Sequence, residues 1–516
     1  MTEAIRFRVD GGIRSPGQLE ATARRVLAYA PRLGWVAAIA PILAYVGTLA
    51  PTVYNLDSAE LSTAASTLGI PHPPGYPLYV LLGKAFTLIP VGDAGYRLNL
   101  MSAVFAGLTL LAVYFVVLHL TDSRVAGIAA SWMLGFSYHF WADAVVAEVY
   151  MLDAFLLASF IWALLRWSVS GRTSMLVLAF FVFGLGLANR TTFLLCLPAA
   201  ACYVAVNGRS RHSLWWLAPL AVLPGLALYG LLPLRTATDA PYVWGSMYDL
   251  TGRAVHMDLT SPSLFWWFVS AGAFQPFAHF HGAGEFASQF ELVAGWTWRG
   301  FLGIGVVLAL LGIPCLWRRG PRDALLLTLI FIPLTAFYTN YAVPDKDTMF
   351  LPTFLIVAIA AGAGGRVLLA RLGPASSLPA VRVTFALCLL TAPLLVATAN
   401  YRLVDVSDDY RSREQSEALF DLAEPGSIVV GWWTDIAPLE YLQRVEGRRQ
   451  DVSLVHSWAV NGQFLIDLAG ANLPGRAMYV MHDEPALRER FELVPVDRWY
   501  QVELRGGGSV TTGGLP

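Results

Sequence analysis

Apolar runs recur between residues 34 and 400, each close to the length that a helix needs to cross a lipid bilayer. A spanning helix takes about 20 consecutive apolar residues. It must satisfy its own backbone groups, because the hydrocarbon core offers no water. Eleven stretches reach or approach that length: 34–53, 98–120, 124–142, 147–167, 174–189, 191–207, 214–234, 296–317, 323–342, 349–370 and 381–400. The two at 174–189 and 191–207 are short and are parted only by Asn189-Arg190. The chain is 56% hydrophobic and 14% charged, against about 25% charge in an ordinary soluble domain. The fold class read from this is an all-α polytopic membrane protein of about eleven transmembrane helices, followed by a small α/β domain. A net charge of −1 argues against a nucleic-acid partner, which would call for a basic footprint.

Lysine and arginine in short loops set the orientation. With residues 1–33 as a cytoplasmic segment, Arg24, Arg25, Arg124, Arg166, Arg172, Arg318, Arg319, Arg322 and Arg366 all fall on the cytoplasmic side. Residues 1–33 lack the apolar core and small-residue cleavage site of a signal peptide. The domain from 34 to 400 then carries outer loops at 54–97 and 235–295. Residues 401–516 form a small extracytoplasmic domain with strand-like runs at Ser427–Trp433, Val452–His456 and Ala477–Met481, and a frayed end from Gly506. Cys196, Cys202, Cys315 and Cys388 lie in apolar stretches without metal-ligand spacing, and are read as small buried residues.

Ionisable groups beside a membrane are costly and mark function by default. Here they concentrate on the outer side. The first outer loop begins Asn55-Leu56-Asp57-Ser58-Ala59-Glu60-Leu61. Asp57 and Glu60 share a helix face at this spacing; a capping box, with Asp57 as N-cap and Glu60 as its partner, explains the pair equally well. His72 follows in a turn fixed by Pro71, Pro73, Pro74, Gly75 and Pro77, and Leu78–Ile89 returns as an amphipathic or re-entrant helix. Glu148 opens a membrane helix, where the positive helix end favours a carboxylate. Arg190 interrupts an apolar stretch and demands an anionic partner, either a carboxylate or a phosphate. Arg235 adds a second outer cation, and Pro344-Asp345-Lys346-Asp347 makes a compact charged turn in which Lys346 neutralises its neighbours or serves the site.

These segments resemble the GT-C superfamily of polytopic glycosyltransferases, nearest to the family of the transmembrane protein O-mannosyltransferase. The resemblance rests on Asp57-Ser58-Ala59-Glu60-Leu61, Leu68-Gly69-Ile70-Pro71-His72-Pro73-Pro74-Gly75-Tyr76-Pro77-Leu78, Ala147-Glu148-Val149-Tyr150, Gly186-Leu187-Ala188-Asn189-Arg190, Leu232-Pro233-Leu234-Arg235 with Trp244-Gly245, and Asp345-Lys346-Asp347. Arg190 departs from the histidine expected after Asn in the family pattern. The resemblance implies transfer of a sugar, mannose among the options, from a polyprenyl-phosphate donor to a hydroxyl on a protein or glycan acceptor at the outer membrane face. It implies Asp57 as catalytic base with Glu60 beside it, and a substrate site formed by His72, Tyr76, Glu148, Tyr150, Arg190, Arg235 and Lys346. No cofactor is expected. A divalent metal on Asp57, Glu60, Asp143 and Glu148 is the less favoured option. A transporter or flippase of a lipid-linked anion is the alternative reading, and a non-catalytic scaffold presenting the C-terminal domain is a third. A transporter would place its ionisable groups mid-membrane in paired halves, whereas these acids gather at one face. Alanine- and arginine-rich composition points to a bacterial inner membrane, with the site on its extracytoplasmic side.

Overall fold

The computed structural model describes residues 34–208, 215–278, 282–343, 346–375 and 379–505. The segment 1–33, Asp345 and the end from Gly506 lie outside them. Each of the eleven apolar stretches carries helix, but not all as one unbroken span. Among the described residues six helices are long and apolar enough to cross a membrane: Ala94–Thr121, Tyr150–Ser170, Leu217–Ala237, Pro321–Thr339, Thr348–Arg371 and Val383–Val404. A further pair, Gly284–Gly300 and Ile304–Arg319, is bent by 106°. The bend has a local cause: Leu302 (φ 49°) and Gly303 (φ 67°) are left-handed, a conformation that cannot propagate a right-handed helix. Stretch 124–142 divides into Arg124–Gly135 and Tyr138–Ala144. Gly34–Gly47, Thr173–Asn189 and Thr191–Asn207 are apolar but shorter.

Small residues let the membrane helices approach backbone to backbone. A Cβ on Gly312 would stand 1.9 Å from the Ala360 carbonyl oxygen, and one on Gly364 would stand 1.8 Å from that of Leu308. Of the four cysteines only Cys196 is buried within the protein. Cys202 and Cys315 are half-buried and Cys388 is exposed on a helix whose apolar surface faces outward, so the expectation of four buried thiols holds for one.

The segments 54–97 and 235–295 are packed layers rather than linkers. Helices Asp57–Thr67 and Pro77–Phe86 flank the proline-rich turn. That turn pairs with the second loop, where Ile70 N–H donates to Tyr242 O (2.8 Å) and Trp244 N–H to Ile70 O (2.9 Å). The second loop carries a small hairpin of β1 (Met247–Tyr248) and β2 (Ala254–Val255).

Residues beyond Val404 fold around five strands: β3 (Ile428–Gly431), β4 (Ser453–His456), β5 (Met478–Val480), β6 (Phe491–Val496) and β7 (Trp499–Leu504). Their order is β4-β3-β5-β7-β6, with β3 parallel to β4 and β5, and the β5–β7 and β7–β6 pairs antiparallel. Parallel neighbours need crossover connections, here Trp433–Arg444 and Gly462–Asn472. Side chains alternate along β3. Ile428 and Val430 pack with Leu465 and Leu468 on one face, while Val429 joins Leu419, Ile436 and, from the first outer loop, Val53 and Ala59 on the other. The second face is therefore completed by the membrane core. Tyr441 Oη accepts from Gly95 N–H at 2.9 Å, and Arg413 reaches Asp93 (3.2 Å) and Glu446 (2.7 Å).

Candidate active site

Asp57 and Glu60 do not form a capping box. Leu56 occupies the N-cap position at φ 55° without a side-chain cap, and Asp57 is the first helical residue. Glu60 is fully buried and turned toward the proline-rich turn, where its Oε1 accepts from His72 N–H at 2.5 Å. His72 Nδ1 lies 3.2 Å and 3.3 Å from the two Glu60 oxygens, and His72 Nε2 is 2.8 Å from Tyr76 Oη. The network assigns the imidazole tautomer: Nδ1–H donates to Glu60 and Nε2 accepts from the Tyr76 hydroxyl. Asp57 Oδ2 stands 3.7 Å from Nε2, beyond hydrogen-bond reach, with its side chain 17% exposed. Glu60 thus holds the histidine from within, and Asp57 lies beside it, partly exposed.

The turn between them is built for this placement. Gly75 (φ +91°) supplies a backbone that L side chains avoid, and a Cβ there would press to 2.9 Å from Leu232. Tyr76 follows in the left-handed region and starts the Pro77–Phe86 helix. Burial raises the Tyr76 phenol above its ordinary pKa; Arg190 opposes this, and Asp57, Glu60 and Glu148 add to it. All four charges therefore act on one hydroxyl. Ser58 Oγ accepts from Ala147 N–H (3.1 Å) and Ser102 Oγ from Glu148 N–H (3.2 Å), which anchors the Glu148 turn beside Asp57. Glu148 lies two residues before its helix, which begins at Tyr150.

Arg190 sits where the Thr173–Asn189 helix ends, 8% exposed. Its guanidinium lies 4.7 Å over the Tyr150 ring and 5.5 Å from that of Tyr338. Asp153, one turn beyond Tyr150, supplies a carboxylate at 3.8 Å, yet Arg190 Nη1 is buried with no hydrogen-bond partner. Such an orphaned charged donor is costly, and the protein groups around it do not complete its shell.

The remaining predicted cations have other contacts. Arg235 Nε donates to Leu68 O at 2.8 Å and Nη1 to Thr238 Oγ1 at 3.1 Å, fastening the end of the Asp57–Thr67 helix. Lys346, 7% exposed, donates to Gln289, and neighbouring Asp347 meets His139 Nδ1 at 3.1 Å. Among the described residues no three His, Cys, Asp or Glu side chains converge as a metal-ligand set.

A wall of rings not foreseen from the sequence closes the site. His72 is met edge-on by Phe274 (5.7 Å) from the second loop and by Trp433 (6.1 Å) from the C-terminal domain. Trp433 directly follows β3 and Trp432, and a Trp pair just past a buried strand was its one signal in the sequence.

Residues 57–213 match the family model described as the protein O-mannosyl-transferase TMEM260 N-terminal domain. Over that segment the chain is similar to the TMEM260 type. Similarity extends beyond that segment: the mouse protein O-mannosyl-transferase TMEM260 is 26% identical over 475 residues, covering 87% of this chain and 63% of the mouse protein. The Dictyostelium discoideum protein of that name is 27% identical over 229 residues, covering 40% of this chain and 28% of its own length. This chain thus spans less than two thirds of those relatives. ArnT from Cupriavidus metallidurans, solved with undecaprenyl phosphate, superposes with a TM-score of 0.54 at 13% identity, over 93% of this chain and 98% of that one. That likeness shows a fold shared with ArnT, and the six long apolar helices make this a multi-pass membrane protein. The TMEM260 relatives named here are eukaryotic, so they lend no support to the bacterial inner membrane expected from composition.

Proposed function

We propose that this chain is a glycosyltransferase that moves a sugar, mannose first among candidates, from a polyprenyl-phosphate donor to a Ser or Thr hydroxyl of a protein on the outer membrane face. The observation that carries the reading is the division of labour around His72: Glu60 is buried and consumed in holding it, while Asp57 remains at the accessible edge. In this reading the acceptor oxygen attacks the anomeric carbon and its proton passes to Asp57. The bond from that carbon to the phosphate oxygen breaks, and the phosphate gathers charge as it departs. Arg190, with Nη1 unsatisfied, is the group placed to receive it. Tyr150 and Tyr338 flank the guanidinium with their rings. Glu60 and Tyr76 position His72, and Arg235 orders the loop from behind. No separate metal step is invoked. The gathering of Asp57, Glu60, Glu148 and Arg190 around the Tyr76 hydroxyl favours the enzyme over a flippase.

The test is incubation of the purified chain with a panel of polyprenyl-phosphate sugars and Ser/Thr peptides, read by mass spectrometry. Transfer by wild type that Asp57→Asn abolishes, in a variant that still inserts and folds, is the expected result. Turnover by that variant at the wild-type rate removes Asp57 from the base role.

A further inference from the structure

The second loop runs into the helix Ala283–Gly300, and the bend at Leu302 and Gly303 sets it 106° from Ile304–Arg319. Ile304–Arg319 lies along the Thr348–Arg371 span, which it meets backbone to backbone at Gly312 and at Leu308. Arg318 and Arg319 close it on the cytoplasmic side, so Ile304 is its outer end. Its 16 residues rise about 24 Å, against a hydrocarbon core of about 30 Å. The helix before it therefore runs near the membrane plane, at the depth where acyl chains give way to headgroups.

That helix has three faces. Gln289, Val293, Trp296 and Gly300 share one at helical spacing and turn inward. Val293 and Gly300 are buried, Gln289 accepts from Lys346, and Trp296 meets Phe350 at 5.8 Å. Glu285, Ser288, Glu291 and Arg299 make an exposed polar face, interrupted by Leu292. Phe286, Phe290, Ala294 and Trp298 make the third, with Phe290 63% and Trp298 55% exposed. This open apolar face continues onto the lipid side of the span. At the corner Gly303 N–H donates to Trp298 O at 2.7 Å, and beyond it Val307 and Leu310 stand exposed. Nearby in the chain, Pro262–Val269 carries no charge and exposes Trp266 and Trp267, while its Phe268 packs with Leu232 near the outer end of the Leu217–Ala237 span. Exposed tryptophans at such a depth suit a membrane interface.

We propose that Ala283–Gly300 is an interfacial helix whose face of Phe286, Phe290 and Trp298 is docked in the outer leaflet, so that the bilayer surface holds Lys346 and the adjoining wall of rings at a fixed height. An amphipathic helix of this kind lies in the interface with its apolar face sunk among the acyl chains. The polar face carries Glu285 and Glu291 against Arg299, so the attraction is to acyl chains and not to anionic headgroups. On the inward side the rings run from Trp296 to Phe350 and on to Tyr338 (6.0 Å), which flanks Arg190. The docking stands without the glycosyltransferase reading.

The full chain is placed in phosphatidylcholine nanodiscs, with a nitroxide carried by a keto-phenylalanine in place of Phe290, Trp298, Ser288 or Glu291, one position at a time. All four side chains are exposed, and thermal unfolding checks each labelled protein. Power-saturation EPR compares collisions with dioxygen, which dissolves in lipid, and with a nickel chelate, which stays in water. Labels at Phe290 and Trp298 are expected to favour dioxygen, at a depth of about 5–10 Å, and the ratio reverses at Ser288 and Glu291. Equal nickel access at all four positions overturns the proposal. Shielding of Phe290 and Trp298 from both reagents, with dipolar broadening between labels, also overturns it, since a second copy then covers the face. Adding phosphatidylglycerol is expected to leave the depths unchanged; labels that sink only in its presence overturn the acyl-chain contact in favour of an anionic headgroup. Combining Phe290→Glu with Trp298→Glu is expected to lift the helix and quicken hydrogen exchange over residues 346–350. Unchanged exchange there overturns the hold on Lys346.

Discussion

Replacing Arg190 by Lys tests the proposed phosphate role most directly. Removing the charge outright would confound the result. Asp153, its side chain 7% exposed, would be left buried without its cation, and breaking such a pair costs about 3–5 kcal/mol of stability. Lys keeps the charge opposite Asp153 but loses the planar fork and the orphaned Nη1. A hydrogen bond to a charged group contributes roughly 1.5–3 kcal/mol, and each ~1.4 kcal/mol is tenfold. One lost guanidinium–phosphate contact therefore predicts donor affinity roughly 10- to 100-fold weaker. The assay is titration of purified protein with undecaprenyl phosphate, the lipid held by the ArnT structure, followed through tryptophan fluorescence, with thermal unfolding as a control. Undecaprenyl phosphate binding within twofold of wild type, in a variant of unchanged melting temperature, would refute the assignment of Arg190 to the phosphate.

Glu60→Gln removes the charge opposite His72 Nδ1 while keeping an acceptor for His72 N–H; we expect about 1–3 kcal/mol of destabilisation and a matching fall in transfer rate, read by thermal unfolding and turnover. Gly75→Ala forces a side chain onto φ +91° against Leu232, and a loss of at least ~1–2 kcal/mol should appear in the same melt. Burial raises the Glu440 carboxyl, but His456 and Arg444 beside it outweigh this and depress its folded pKa, so its contribution to stability is complete above the ordinary carboxylate value and is lost as pH falls through the lower folded value. Melting temperature followed from pH 7 to pH 3 should show this acid limb in wild type and a shallower one in Glu440→Gln. Arg413→Ala unties Asp93 and Glu446 across the boundary between the C-terminal domain and the first loop, and faster hydrogen exchange over residues 57–67 is the expected readout.

Hydropathy put helix under each of the eleven apolar stretches, because burial in lipid imposes its signature on each residue of a span, but it assigned most of the Ala283–Gly300 helix to a loop. It did not foresee which stretches break. The left-handed pair Leu302 and Gly303 turns a helix by 106° without leaving the apolar pattern, and a run of suitable residues says nothing about the angle between its halves. The acidic loop was legible as Asp57, Glu60 and His72, but their roles were not. Spacing within a helix suggests capping, and only the return of the proline-rich turn places His72 on Glu60. Asp153 lies one turn beyond Tyr150 on the same helix, and that placing is the signal that marks it as the partner of Arg190. Strands β3, β4 and β5 showed as short apolar runs, whereas β6 and β7 alternate with charged residues and escaped. Trp433, Phe274 and Trp458 are long-range contributions, invisible until three distant segments are folded together.

Trp433 stands against His72 from the C-terminal domain, and this makes that domain one wall of the candidate site. A swap that exchanged the C-terminal domain for that of a distant relative would preserve every membrane helix and still remove one wall from the histidine. The C-terminal domain can therefore accept change over its far surface, but along the edge that looks down on the proline-rich turn a change must be matched in the loop beneath it.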